Sequence, residues 1–108
     1  MATTYEAAKA VGITSIDAYM FPYIGTGSQP TGVACKSIST QISEFLAAID
    51  DNNIPVKHLW LDIEPEDASQ SGVACNAWQL GSAGNEALAK QWVAAIKATG
   101  RSWGVYAN

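Results

Sequence analysis

Three short apolar runs of strand type alternate with three stretches whose apolar residues recur at helical spacing, and this alternation limits the fold more than any other feature. Thr3 and Glu6 stand at capping-box spacing, and Tyr5-Glu-Ala-Ala-Lys-Ala-Val predicts a short helix stopped by Gly12. Ser15 to Phe21 predicts a strand closed by Pro22, and a Gly/Ser/Thr/Pro loop follows from Gly25 to Gly32. Ile38, Ile42, Phe45, Leu46 and Ile49 make one apolar helical stripe that ends near Asp50 and the turn residues Asn52 and Asn53. Val56 to Ile63 is apolar almost throughout, which predicts a strand buried on both faces. A long loop is expected from Pro65 to Gly84, then a helix marked by Leu88, Trp92, Ala95 and Ile96 and ended by Gly100, then a strand from Trp103 to Ala107.

The order αβαβαβ calls for right-handed crossovers and a sheet of three parallel strands, so the fold class is α/β. Such a sheet is a poor free-standing object. The outer edges of its first and last strands invite pairing with other chains, which opens a route to a homo-oligomer. The pattern reads as a segment of a larger α/β fold.

Composition removes several functions. With 108 residues, one small domain is expected, and a net charge of −4 with six Lys and Arg cannot build a basic stripe for nucleic acid. Apolar residues make up 48% of the chain, which argues against disorder. No apolar run approaches the roughly 18 residues needed to span a membrane, and Met1-Ala-Thr-Thr-Tyr-Glu does not read as a signal peptide. Cys35 and Cys75 form no C-x-x-C pair, and the one His leaves too few ligands for a zinc site, so no metal or other cofactor is expected. The two cysteines are either free thiols or one bridge, which would close a loop of about forty residues and stabilise by roughly 3–4 kcal/mol.

The densest chemical signal is Leu59-Trp60-Leu61-Asp62-Ile63-Glu64-Pro65. Alternate residues of a strand share a face, so Trp60, Asp62 and Glu64 point one way, with the two acidic Cα atoms roughly 6.6 Å apart. Carboxylates at the C-terminal end of a parallel strand sit where α/β folds place active sites. Like charges in a partly apolar cleft split their pKa values, leaving one acid beside one carboxylate, as glycoside hydrolysis requires. The bland alternatives are acids that cap the next loop, or a metal site. Asp17 and Tyr19 share a face of the first strand, Tyr106 ends the last, and Trp78 lies in the long loop. Aromatic faces of this kind suit sugar C–H groups or a core, and core packing is the expectation for Trp60, Trp92 and Trp103. His58, Glu66 and Asp67 are expected at the surface, while Asp50 and Asp51 end a helix unfavourably for its dipole.

Asp17-Ala-Tyr-Met-Phe-Pro, Leu-Trp-Leu-Asp62-Ile-Glu64, Cys75-Asn-Ala-Trp78, Gly81-Ser-Ala-Gly-Asn85 and Trp103-Gly-Val-Tyr106-Ala-Asn together resemble family 25 glycoside hydrolases, in the flavour of their secreted eukaryotic, fungal-type lysozymes. The resemblance keeps order and spacing over nearly the whole chain. It implies an irregular (β/α) barrel that cleaves the β-1,4 bond between N-acetylmuramic acid and N-acetylglucosamine in peptidoglycan. Glu64 would be the general acid, and Asp62 would position the acetamido group or stabilise the developing oxocarbenium ion. Tyr19, Tyr106, Trp78 and Asp17 would contact substrate, the protein would be extracellular, and Cys75 is the partner this chain offers Cys35. The family opens on a strand with a further Asp in a D-V-S-like motif, and a complete barrel of this type needs about 200 residues or more. Residues 1–108 would therefore be a partial catalytic domain, an incomplete (β/α) barrel of the TIM type. The competing expectation is a non-catalytic peptidoglycan-binding remnant.

Overall fold

The computed structural model describes residues 2–22, 35–64, 78 and 81–107. Its elements are α1 (Ala2–Ala10), β1 (Ile16–Met20), α2 (Ile38–Asp51), β2 (Val56–Ile63), α3 (Gly81–Ala98) and β3 (Trp103–Ala107). The three strands are parallel and lie in the order β1-β2-β3.

Two helix starts differ from expectation. Thr3 lies inside α1, which begins at Ala2, so the Thr3/Glu6 pair does not cap it. The run rich in alanine carries the helix past the capping signal. α3 begins at Gly81, which shortens the loop expected to reach Gly84.

α2 is closed at both ends by local chemistry. Ser37 is its N-cap, with the side-chain oxygen accepting from the Thr40 amide at 3.2 Å. At the other end Asn53 takes a φ of 52°, its amide bonds to Asp50 O, and the Ile54 amide reaches back to Ile49 O at 3.1 Å. This reversal drops Ile54 onto Ile49, and both are buried in one cluster with Leu59.

The stripe predicted for α2 faces the sheet, with Ile42 and Ile49 buried and Ile38, Phe45 and Leu46 packed against them. Trp92 and Ile96 bring α3 onto the same side, where they meet Met20 of β1 and Leu61 of β2. Leu61 and Trp92 are completely buried. Trp103 packs at the margin of this layer, 6.1 Å from Phe45 between ring centroids, and donates its indole N–H to Thr99 Oγ1 at 2.9 Å. Trp92 and Trp103 thus meet the core expectation.

β2 is not buried on both faces. Leu59 and Leu61 are buried, but Trp60 between them is exposed. The described helices that contact one another, α2 and α3, lie on the Leu61 side of the sheet, and no described helix packs on the Trp60 side. The apolar run therefore combines a core face, Leu59 and Leu61, with a face that carries exposed Trp60.

The β1–β2 ladder carries one irregularity. Ile16 pairs with Val56, but Ala18 pairs with Leu59, so β2 spends one extra residue at Lys57–His58 opposite Asp17. From there the register is regular, with Tyr19 beside Trp60 and Met20 beside Leu61.

Candidate active site

The register builds the site on the open face. Tyr19 of β1 lies beside Trp60, Trp60 lies beside Gly104 of β3, and Asp62 lies beside Tyr106. Paired residues of a parallel sheet point to the same side, so three strands deliver aromatic and acidic groups to one surface. Tyr19, Trp60, Asp62, Glu64 and Tyr106 line a cleft of about 470 Å³. Tyr19 and Tyr106 are 70% and 51% exposed.

Asp62 and Glu64 end β2 at its C-terminal side, half-buried. Glu64 holds its proton above the usual carboxyl range. Desolvation is the main cause, followed by the charge of Asp62 and a side-chain hydrogen bond to Asp62. When Glu64 carries its proton, it donates in that bond and Asp62 accepts. Asp62 Oδ1 is buried and has no hydrogen-bond partner among the described residues. The pair thus combines a carboxyl with a raised pKa and a buried acceptor oxygen that no described residue satisfies.

Asp17 does not line the cleft. Its carboxylate bridges to β2 instead, with Oδ1 accepting from the His58 amide at 3.3 Å and Oδ2 accepting from Trp60 Nε1 at 3.0 Å. It satisfies an amide freed by the bulge and holds the indole that floors the cleft. His58 is exposed, as expected, with Nδ1 3.1 Å from Ser102 Oγ.

Trp78 is also elsewhere. It packs against the cluster of Met20, Leu61 and Trp92 on the helix side of the sheet. Its carbonyl accepts from Asn85 Nδ2 at 2.7 Å, and its buried indole N–H has no partner among the described residues. The expected sugar contact is replaced by a core contact, because an indole beside the N-terminal turns of α3 finds apolar surface there. Sequence reasoning erred in the opposite sense for Trp60, which lies at 37% exposure in the cleft and not in the core. The signal was present in the alternation that puts Trp60 on the face of Asp62 and Glu64.

Cys35 is disulfide-bonded. Cys75 lies outside the described residues, as do Glu66 and Asp67. Among the described residues no group of three or more His, Cys, Asp or Glu could hold a metal ion, and no helix is long and apolar enough to cross a membrane.

Comparison with known proteins adds a family. The family model described as lysozyme-like protein 1 matches residues 1–108. Lysozyme-like protein 5 of Caenorhabditis elegans is 30% identical over 101 residues, an alignment that covers 94% of this chain. The chain spans 39% of the length of that relative. No solved structure matches the chain.

Proposed function

The chain belongs to the lysozyme-like protein 1 family, and from that premise we propose that its cleft serves hydrolysis of the β-1,4 bond between N-acetylmuramic acid and N-acetylglucosamine in peptidoglycan, as in family 25 glycoside hydrolases. The observation that carries this reading is the Asp62–Glu64 pair, where desolvation and the charge of Asp62 raise the Glu64 pKa and aromatic rings stand around both. Glu64 is the general acid. It passes its proton to the glycosidic oxygen as the bond to the anomeric carbon breaks, and water then bonds to that carbon and returns a proton to Glu64. Asp62 faces the positive charge that develops on the sugar ring, or takes the N–H of an acetamido group. Tyr19 and Tyr106 offer flat apolar surface to the chain of sugars on either side.

The parallel β1-β2-β3 order, with α2 and α3 on one side, supports an arc of a TIM-type barrel. In such a barrel catalytic groups stand at the C-terminal ends of strands, where Asp62 and Glu64 are. The proposal places the protein outside the cell, where peptidoglycan is met.

The test is clearing of a peptidoglycan suspension by the chain, with Glu64→Gln as control and co-sedimentation with insoluble peptidoglycan alongside. Clearing by the wild type that vanishes in Glu64→Gln is the expected result. A folded chain that sediments with peptidoglycan yet never clears it identifies a binding module. A folded chain that does neither overturns the reading.

A further inference from the structure

Two parts of β2 ahead of the acids need holding, and one carboxylate holds both. Between the Ile16–Val56 and Ala18–Leu59 pairs, Lys57 and His58 stand against Asp17 alone. The bulge takes the His58 amide out of the ladder, and Asp17 Oδ1 accepts it at 3.3 Å. Asp17 Oδ2 accepts Trp60 Nε1–H at 3.0 Å, which fixes the first cleft residue after the bulge. A carboxylate that serves two donors cannot turn without releasing one of them, and an ionised acceptor bonds more strongly than a neutral one. On the other side of β2 the Leu59 amide donates to Ser102 O at 3.0 Å, and pairing with β3 runs unbroken from Leu59 to Ile63.

Trp60 carries this hold across the sheet. Its Nε1 is fastened to β1, and its six-membered ring lies over Gly104 of β3, where an added Cβ would stand 2.7 Å from Cε3 and 3.0 Å from Cη2. Neighbouring strands are about 4.8 Å apart, so an indole that meets both neighbours of its own strand lies along the sheet and does not stand up from it. In the barrel arc proposed above this face turns inward. The indole is then an interior layer beneath Asp62, the next residue of β2 on the same face.

We propose that Asp17 is a positioning residue for the acid pair, fixing β2 through the His58 amide and the Trp60 indole just before the strand presents Asp62 and Glu64. The inference rests on the glycoside-hydrolase reading and deepens it. Asp17 does not line the cleft; it acts through Trp60, which shares the cleft with Asp62 and Glu64, Tyr19 of β1 and Tyr106 of β3. Those two tyrosines and Asp62 are the other titratable groups of the cleft, and desolvation is the main cause of the raised Glu64 pKa. An indole released from Asp17 admits water beside the acids, and the Glu64 value falls toward that of an ordinary carboxyl.

The Glu64 side-chain carboxyl is followed by carbon-13 NMR through a pH titration of the wild type, Asp17→Ala, Asp17→Asn and Gly104→Ala. Ser37→Ala serves as a control that loosens the fold away from the cleft. The Glu64 midpoint is expected to fall in Asp17→Ala and in Gly104→Ala, to fall less in Asp17→Asn, which keeps one acceptor oxygen, and to stay at the wild-type value in Ser37→Ala. Gly104→Ala displaces the indole and keeps the Asp17 charge, so a fall there is not the loss of that charge, and it carries the test should Asp17→Ala not fold. In peptidoglycan clearing, Asp17→Ala is expected to lower kcat about tenfold with KM held. A wild-type midpoint in folded Gly104→Ala, or an equal fall in Ser37→Ala, overturns the positioning role and leaves hydrolysis standing. A midpoint that moves as expected in a chain whose wild type clears no peptidoglycan supports the hold of Asp17 on the acids and overturns the catalytic reading.

Discussion

Arg101 reaches back from the turn before β3 and takes both carboxylate oxygens of Asp50 at the end of α2, with Nη1 3.0 Å from Oδ1. A bare acid at a helix C-terminus is unfavourable, and the guanidinium offsets it. The bond to Arg101 also holds the Asp50 carboxyl below its ordinary value of 3.8. A depressed carboxyl stabilises the fold above its unfolded pKa and loses that contribution as pH falls through the folded value. Arg101→Ala is therefore expected to lower Tm slightly at pH 7 and not at all near pH 2. Both residues are well exposed, so the effect is expected to shrink in high salt, as thermal melts at two ionic strengths would show.

The core prediction is larger. Leu61 is fully buried between β1 and the helix layer, and Leu61→Ala is expected to destabilise by about 3 kcal/mol in urea unfolding. A loss below about 1 kcal/mol would mean that the helix layer collapses readily onto the vacated space.

Ser37 offers a smaller, local test. Its oxygen accepts from the Thr40 amide at 3.2 Å, and Ser37→Ala is expected to remove about 1 kcal/mol of stability. Ser37→Asp is expected to restore it, since an acid serves equally as a cap and suits the dipole.

The acid pair predicts a pH profile. Catalysis that needs a protonated Glu64 falls as pH rises through the elevated Glu64 value. Asp62→Asn removes the charge of Asp62 and alters its hydrogen bond, so in any residual activity the alkaline limb is expected to move to lower pH. Desolvation, the main cause, persists in that variant and keeps part of the elevation. An alkaline limb unmoved by Asp62→Asn would detach Glu64 from its neighbour.

The same pair affects stability. A raised carboxyl pKa favours the fold below the ordinary value of 4.5, and that contribution is lost as pH rises through the folded value. Glu64→Gln, which cannot ionise, is expected to melt higher than wild type at pH 7, with the gap closing toward pH 4.

The alternation of elements and the three parallel strands were legible because each apolar stripe has one period and few competitors. Ile42, Ile49, Trp92 and Ile96 could be placed on the sheet from spacing alone, and all are buried. The grouping of Tyr19, Asp62, Glu64 and Tyr106 along one face was legible because strand parity governs it. It was misread where a large indole could satisfy two environments, since Trp60 and Trp78 exchange the places that composition suggests. The roles of Asp17 and Arg101 depend on partners 43 and 51 residues away in sequence, a separation that no local pattern encodes.

The extra residue at Lys57–His58 governs which way the acids look. Val56, before it, packs on the helix side beside Ile16, whereas Leu59, beside Ala18, and Leu61 take over that side after it. Even-numbered positions of β2 begin as core and end as cleft. Deleting one residue there would turn the rest of the strand by half a revolution, sending Asp62 and Glu64 toward Trp92 and setting Leu61 in the open. What this stretch carries for the acids is a count of residues, and its length matters to them more than its letters.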